Sequence, residues 1–371
     1  MKPNVILILI DGARWDRLSK SKNFGKIFQK GTLLDNVTAN IPYTIGSVNA
    51  TFSGNYGKEN GIDAYYKMFR LKKSMKIMPE YFKENGYFTA CDLLSDKIIA
   101  NRGFDIHQSH DEYNDDLLER HPRFIKKCLE EADNKPLFLF LHFTRIHTVT
   151  VSEVLKKYEW DDKSFYNNKE NNMKNYDSVF LEAGEYASKM VQVLQKLNID
   201  KNTILIFFSD HGTGIGERFG ERNYGSFTFE ETIRSFYTFI GPKIIQDRKT
   251  SRLRESIDIL PTLLDYCGIN HTNLPGQSFS KFLINEKEEI HDKKYTFSET
   301  GALHGPYPSP MEPNVYCIKS SKYKLIFLKT PDKWELYDLE NDPDELKNLY
   351  GTKLEIESKL KNNLLNWINR S

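Results

Sequence analysis

Three runs of consecutive apolar residues constrain this chain more than anything else in it: residues 5–10, residues 136–142 up to a closing histidine, and Thr203–Phe208. None alternates with polar residues. Each must therefore be covered on both faces, the pattern of interior strands in a parallel sheet with helices on either side. Each run also stops on polar groups. The first meets Asp11 and Gly12, the second ends in His142 with Arg145 and His147 just beyond, and the third leads into Asp210, His211 and Gly212. Ligands of open α/β sheets sit outside the carboxyl ends of strands. If the three strands are parallel neighbours, their polar ends share one edge, and Asp11, Asp210 and His211 can hold a divalent cation there.

The intervening chain supplies the other layers. Helices are expected at 16–30, at 74–84, at 114–131 with an interruption near Pro122, and at 257–267. Val179, Ala183, Tyr186, Met190, Leu194 and Leu197 recur at three- and four-residue steps and mark a long amphipathic helix. Further strands are expected at 31–40, 87–93, 235–240 and 295–298. Residues 152–175 are polar with little periodicity, which reads as a surface excursion and a candidate for substrate contact. From about residue 315 short meander strands are followed by a helix with Ile356, Leu360, Leu364, Trp367 and Ile368 on one face. This divides the chain into an α/β catalytic unit, 1–310, and a small C-terminal α+β subdomain, 311–371.

Charge and cysteine usage narrow the partners. With 52 Lys+Arg against 51 Asp+Glu there is no basic field for nucleic acid. The apolar run at 5–10 is too short for a secretory leader and no run reaches the length of a membrane span. Cys91, Cys128, Cys267 and Cys317 lie far apart in apolar segments, as expected of buried thiols in a cytoplasmic protein.

Thr44 is the candidate nucleophile. Pro42 disfavours helix at Ile41, the pattern turns helical at Thr44, and Gly54 is a natural stop. A threonine opening a helix reads first as an N-cap. The same helix end also attracts anions, and a hydroxyl becomes a useful nucleophile once a metal or a base takes its proton. Oxygen ligands with one imidazole suit Zn²⁺ or Mn²⁺ and admit Mg²⁺ or Ca²⁺.

Residues 4–11 with Arg14, Asp16 and Leu18, residues 44–62, 78–90, 102–105, 209–217, 257–265, 323–326 and 335–345 together resemble the sulfatase branch of the alkaline phosphatase superfamily over nearly the whole length. The resemblance implies an α/β fold with a central, mostly parallel sheet flanked by helices. It implies one divalent metal ion held by Asp11, Asp210, His211 and the Thr44 oxygen, and His147 as general acid near the leaving group. Arg14, His142, Arg145 and His304 become candidates for substrate contact.

The chain also departs from the family pattern. Sulfatases place Cys or Ser at position 44, with Pro two and Arg four residues later, a signature that directs conversion to formylglycine. Here stand Thr44, Gly46 and Val48, so no formylglycine is expected. Gly12 replaces a second Asp, Arg218 stands where His is common in some branches, and the Lys that often follows the Asp-His-Gly loop is replaced near Gly225 and Ser226. A threonine nucleophile resembles instead the superfamily's phosphodiesterases and phosphoethanolamine or glycerophosphate transferases. The expectation is a metal-dependent hydrolase of small-molecule or glycan esters working through a covalent Thr44 intermediate, phosphate esters being favoured on chemistry. The alternatives are a sulfatase proper, a phosphoryl transferase to a glycan or lipid head group, and a non-catalytic oxyanion-binding member.

Overall fold

The computed structural model describes residues 2–111, 113–146, 155–352 and 355–370. Nine strands form one mixed sheet: β1 (Asn4–Ile10), β2 (Thr32–Thr38), β3 (Phe88–Leu93), β4 (Ile106–Ser109), β5 (Leu137–Phe143), β6 (Thr203–Phe208), β7 (Arg234–Ile240), β8 (Arg248–Thr250) and β9 (Arg254–Glu255). Their order is β4-β3-β5-β1-β6-β7-β2-β8, with β9 also on β2. The three apolar runs are adjacent, β5-β1-β6, and parallel, with Val5 level with Phe138 on one side and Ile204 on the other. Only β7 runs against its neighbours.

The pleat explains why these runs carry no polar alternation. Val5, Leu7 and Leu9 enter one apolar layer with Phe138, Phe140, Ile204, Ile206 and Phe208. Ile6, Ile8 and Ile10 enter the opposite layer with Leu139, Leu141, Leu205 and Phe207. Helices Thr44–Ser53, Met78–Glu84 and Ile259–Tyr266 cover the first layer, and Lys22–Phe28, Leu117–Glu131 and Lys169–Lys196 cover the second. At about 3–5 kcal/mol for a buried Phe truncated to Ala, either layer is a large share of the stability of such a domain.

Several elements differ from expectation. The helix at 16–30 is a 3₁₀ segment, Trp15–Lys20, then the α-helix Lys22–Phe28, whose Ser21 side chain caps Phe24 N–H. Pro122 does not interrupt its helix: Leu117–Glu131 continues through it in the second turn. The N-cap of Thr44–Ser53 is Tyr43, and Thr44 is the first helical residue, so its hydroxyl is free of capping duty.

A second sheet is antiparallel: β10 (Thr296–Thr300), β11 (Val315–Lys319), β12 (Tyr323–Leu328) and β13 (Lys333–Asp338). The boundary expected at 310 falls inside this sheet, since β10 precedes it. One face carries the helix Glu355–Ile368 through Leu360, Leu364 and Trp367. The other packs Val315, Cys317 and Ile326 on Phe227, Phe229 and Ile233. Beneath it Lys319 and Lys324 pair with buried Glu230 at 2.7 and 3.2 Å, and Lys324 also pairs with Glu345 at 2.8 Å. This sheet therefore braces the loop that leaves the carboxyl end of β6.

Candidate active site

At the shared carboxyl edge Asp11, Asp210 and His211 are all buried and offer ligand atoms within 4.8 Å of one another. Their protonation follows from their second contacts. His211 Nδ1 lies 2.8 Å from the Gly212 carbonyl and donates to it, so Nε2 carries a lone pair. That Nε2 lies 3.7 Å from Asp11 Oδ1 and 3.5 Å from Asp210 Oδ2. Asp210 Oδ1 accepts from the backbone N–H groups of Gly12 at 3.2 Å and His211 at 2.9 Å, whereas buried Oδ2 has no hydrogen-bond partner among the described residues. Ligand atoms of two carboxylates and an imidazole thus face one another. The arrangement fits a divalent cation and is costly without one. Burial, and then the Asp11 charge working against the help of His211, pushes the Asp210 carboxyl up to about 6.

Thr44 completes the group. Its hydroxyl oxygen lies 3.3 and 3.4 Å from the Asp11 oxygens and 3.2 Å from His211 Nε2. The helix is pinned there by Ser47, whose hydroxyl donates to the Asp210 carbonyl at 2.8 Å. Gly46 is enforced by packing: a Cβ would stand 2.4 Å from Ile41 Cγ2. Val48 is buried in the apolar layer, so position 48 contributes no cation.

The other candidates separate. His142 is fully buried behind Asp11, with Nε2 2.9 Å from Asp11 Oδ2 and Nδ1 3.4 Å from Leu94 N–H. It orients the carboxylate and does not line the cavity. Arg14 is turned away from the centre, held by Asp16 at 2.9 Å, Glu217 at 2.6 Å and the Thr213 carbonyl at 3.0 Å. Arg145 lies at the surface, 3.5 Å from Glu182. His304 lines the cavity over Thr44. Its Nε2 donates to the Tyr224 carbonyl at 3.1 Å, and burial followed by the Lys157 charge lowers it to about 4, so it stays neutral. His147 lies outside the described residues.

A cavity of about 200 Å³ opens over Asp11 and Thr44. Its walls are mostly apolar and aromatic, with Tyr43, Tyr65, Met68, Ile98 and Tyr224 prominent. Lys157, which the sequence reading missed, enters it from the 3₁₀ turn Leu155–Tyr158. Its ammonium lies 5.0 Å from the Tyr224 ring centroid and 5.4 Å from that of Tyr158, and has no ion pair among the described residues. Burial, opposed by the charge of Asp11, lowers Lys157 to about 8. Nothing in the polar stretch distinguishes Lys157 from Lys156; only the fold turns it inward.

Gly12 explains the missing second acid. Its φ is +66°, and a Cβ there would meet Thr213 Oγ1 at 2.8 Å. Gly12→Ala is expected to cost about 1–3 kcal/mol through this strain, measured by urea unfolding. A variant as stable as the parent would contradict the reading.

The family model described as Sulfatase matches residues 3–269. The chain belongs to the sulfatase family. A second model, N-sulphoglucosamine sulphohydrolase, C-terminal, matches residues 221–370, the part that contains the second sheet. Among curated relatives, an N-acetylglucosamine-6-O-sulfatase of Bacteroides thetaiotaomicron is 32% identical over 197 residues, covering 51% of this chain and 34% of the relative. The chain therefore aligns with only about a third of that sulfatase. Among solved structures, a 2-O GAG sulfatase superposes with a TM-score of 0.82 at 18% identity, covering 99% of this chain and 92% of that one. A phosphonate monoester hydrolase of Agrobacterium radiobacter superposes with a TM-score of 0.76 at 17% identity, covering 98% and 95%. These two likenesses bear on the fold, that of sulfatases and the alkaline phosphatase superfamily.

Proposed function

We propose that this sulfatase-family chain is a metal-dependent hydrolase of anionic esters, with Thr44 as the unmodified nucleophile. The observation that carries the reading is the convergence of the Thr44 hydroxyl on Asp11 and His211 Nε2 at 3.2–3.4 Å, with Thr44 and Asp11 lining the cavity. Asp11, Asp210 and His211 would hold the cation, which supplies Lewis-acid activation of an ester oxygen and of the hydroxyl. In the first step the Thr44 oxygen attacks the central phosphorus or sulfur, its proton passes to a nearby base, and the ester oxygen leaves with the bonding pair. Water then attacks the Thr44 ester and regenerates the hydroxyl. His147 is proposed as the acid that protonates the leaving oxygen, on the resemblance alone. His142 holds Asp11 in place, and neutral His304 offers a hydrogen-bonding wall.

The curated relative is a sulfatase, which supports sulfate esters at least as well as phosphate esters. Thr44, which has no route to formylglycine, and the phosphonate monoester hydrolase neighbour support phosphoryl chemistry. Turnover of p-nitrophenyl sulfate, p-nitrophenyl phosphate and bis-p-nitrophenyl phosphate with Mn²⁺ or Zn²⁺ ranks them. No turnover of any, with metal bound, would overturn the hydrolase reading in favour of oxyanion binding. Slow hydrolysis that accelerates with an added alcohol would identify a transferase. The aromatic walls and the glycan substrates named for relatives support a ring-bearing leaving group, such as a small aryl or sugar ester.

Lys157 is proposed to contact the non-bridging oxygens of the ester. A charge-assisted hydrogen bond contributes about 1.5–3 kcal/mol, so Lys157→Met should lower kcat/KM roughly 10- to 100-fold. Because burial lowers this ammonium to about 8, it loses its proton as pH rises through that value, and anion affinity falls with it. Lys157→Arg should move this alkaline limb upward. An unshifted limb in that variant would remove Lys157 from the account.

A further inference from the structure

A second cluster of ligand-type side chains lies beyond His142, away from the cavity. Asp92 is the last residue but one of β3, His110 follows β4, and His121 lies in the helix Leu117–Glu131. All three are buried and offer ligand atoms within 4.8 Å of one another. The Nε2 atoms of both histidines are buried and lack a hydrogen-bond partner among the described residues. A buried polar atom left unpaired costs about 1–3 kcal/mol unless a water or an ion serves it.

The neighbours set these imidazoles up as ligands. His121 Nδ1 is taken by the Tyr186 phenol at 2.5 Å, and His110 Nδ1 lies 3.1 Å from Asp92 Oδ1. His121 Nε2 faces Asp92 Oδ2 across 4.0 Å. That gap is too long for a hydrogen bond, and a tetrahedral ion with bonds of about 2.0–2.2 Å would draw the two atoms to roughly 3.4 Å of each other. Burial lowers His121 to about 3, so the ring is neutral, and with Nδ1–H given to the Tyr186 oxygen its Nε2 is the atom free to ligate. Burial opposes ionisation of Asp92, but hydrogen bonds from His110 and Arg120 outweigh it and hold the carboxyl at about 2.

We propose that Asp92, His110 and His121 form a second site for a divalent transition cation of the zinc class, which ties β3, the end of β4 and the helix Leu117–Glu131 together. Two imidazoles and a carboxylate are the donor set of such ions. Tyr186 acts as the outer partner that orients His121. Arg120 is the gate. It covers Asp92 at 2.7 Å, but it is about a quarter exposed and already touches Asp115 at 3.1 Å, where it can go when a cation arrives. The site is distinct from the Asp11 centre. His142 stands between them, its ring 6.4 Å from that of His110 and its Nε2 on Asp11.

The test uses the full chain carrying Asp11→Asn and Asp210→Asn, so that the first centre cannot answer for the second and failure of the hydrolase reading does not affect the result. After stripping with a chelator, zinc is titrated by calorimetry and bound metal is counted by elemental analysis. The expected result is one zinc per chain with a raised Tm. Zinc should be lost on adding His121→Gln or His110→Gln, bound about 10- to 100-fold more weakly with Tyr186→Phe, and bound more tightly with Arg120→Gln. If the histidine variants fail to fold, Co²⁺ added to the parent double variant should give the visible absorption of a nitrogen- and oxygen-ligated site. No zinc and no cobalt spectrum in a folded double variant would overturn the proposal. So would zinc binding indifferent to His121 and His110.

Discussion

Thr44→Ala protein is expected to fold normally and to turn over none of the three p-nitrophenyl esters. The fold is spared because Thr44 is the first helical residue and Tyr43 holds the cap position, so deleting the hydroxyl removes no cap. Activity is lost because the deleted oxygen is the one poised between Asp11 and His211 Nε2. Loss of a nucleophile acting in concert with its partners lowers kcat on the order of 10⁴- to 10⁶-fold. Thr44→Ser keeps the oxygen and should keep measurable turnover. Steady-state rates of both variants, beside their thermal melts, check this. Unchanged activity in Thr44→Ala would remove the nucleophile.

Asp210→Asn is expected to have effects of opposite sign with and without metal. With metal, it removes a ligand, and affinity and turnover should collapse together. Without metal, it removes the penalty that burial and Asp11 impose on the ionised carboxylate. The sign follows from linkage. An acid at about 6 in the folded state and 3.8 as its ordinary value binds more protons folded than unfolded between those pH values, so the metal-free parent loses stability as pH rises from about 4 to 6. About two units correspond to about 3 kcal/mol. The metal-free variant lacks this loss and should be the more stable protein at pH 7. Metal should reverse the ranking. Urea unfolding of both proteins in chelator across this pH range measures it, and a metal-free parent with flat stability would contradict the electrostatic account.

Much of this centre can be read from the chain because its carriers have a strong local signature. Runs buried on both faces have no polar alternation, and their abrupt endings at Asp11, His142 and Asp210 mark a strand edge. Parallel pairing of β5, β1 and β6 then brings those endings together. Residue type alone misleads where charge is spent locally. Arg14 and Arg145 read as oxyanion contacts, yet Arg14 is consumed by Asp16 and Glu217, and Arg145 lies beside Glu182. His142 reads as a substrate contact because it ends a strand, but the inward pleat sets it behind Asp11. Lys157 had no signal, since its position depends on how a non-periodic segment folds over the sheet edge. The same holds for Asp92, His110 and His121. They are separated by 18 and 11 positions along the chain and meet only because β3, β4 and the following helix are packed side by side.

The claim on which the rest depends is that the Thr44 oxygen becomes covalently esterified during turnover. The direct measurement is peptide mass spectrometry of metal-loaded enzyme quenched in acid during steady-state hydrolysis of p-nitrophenyl phosphate or p-nitrophenyl sulfate. The account predicts a phosphoryl or sulfuryl adduct on the peptide containing the helix Thr44–Ser53, fragmenting to Thr44 and missing from Thr44→Ala protein. Enzyme that turns over ester with no adduct there, or with the adduct on another residue, would contradict it.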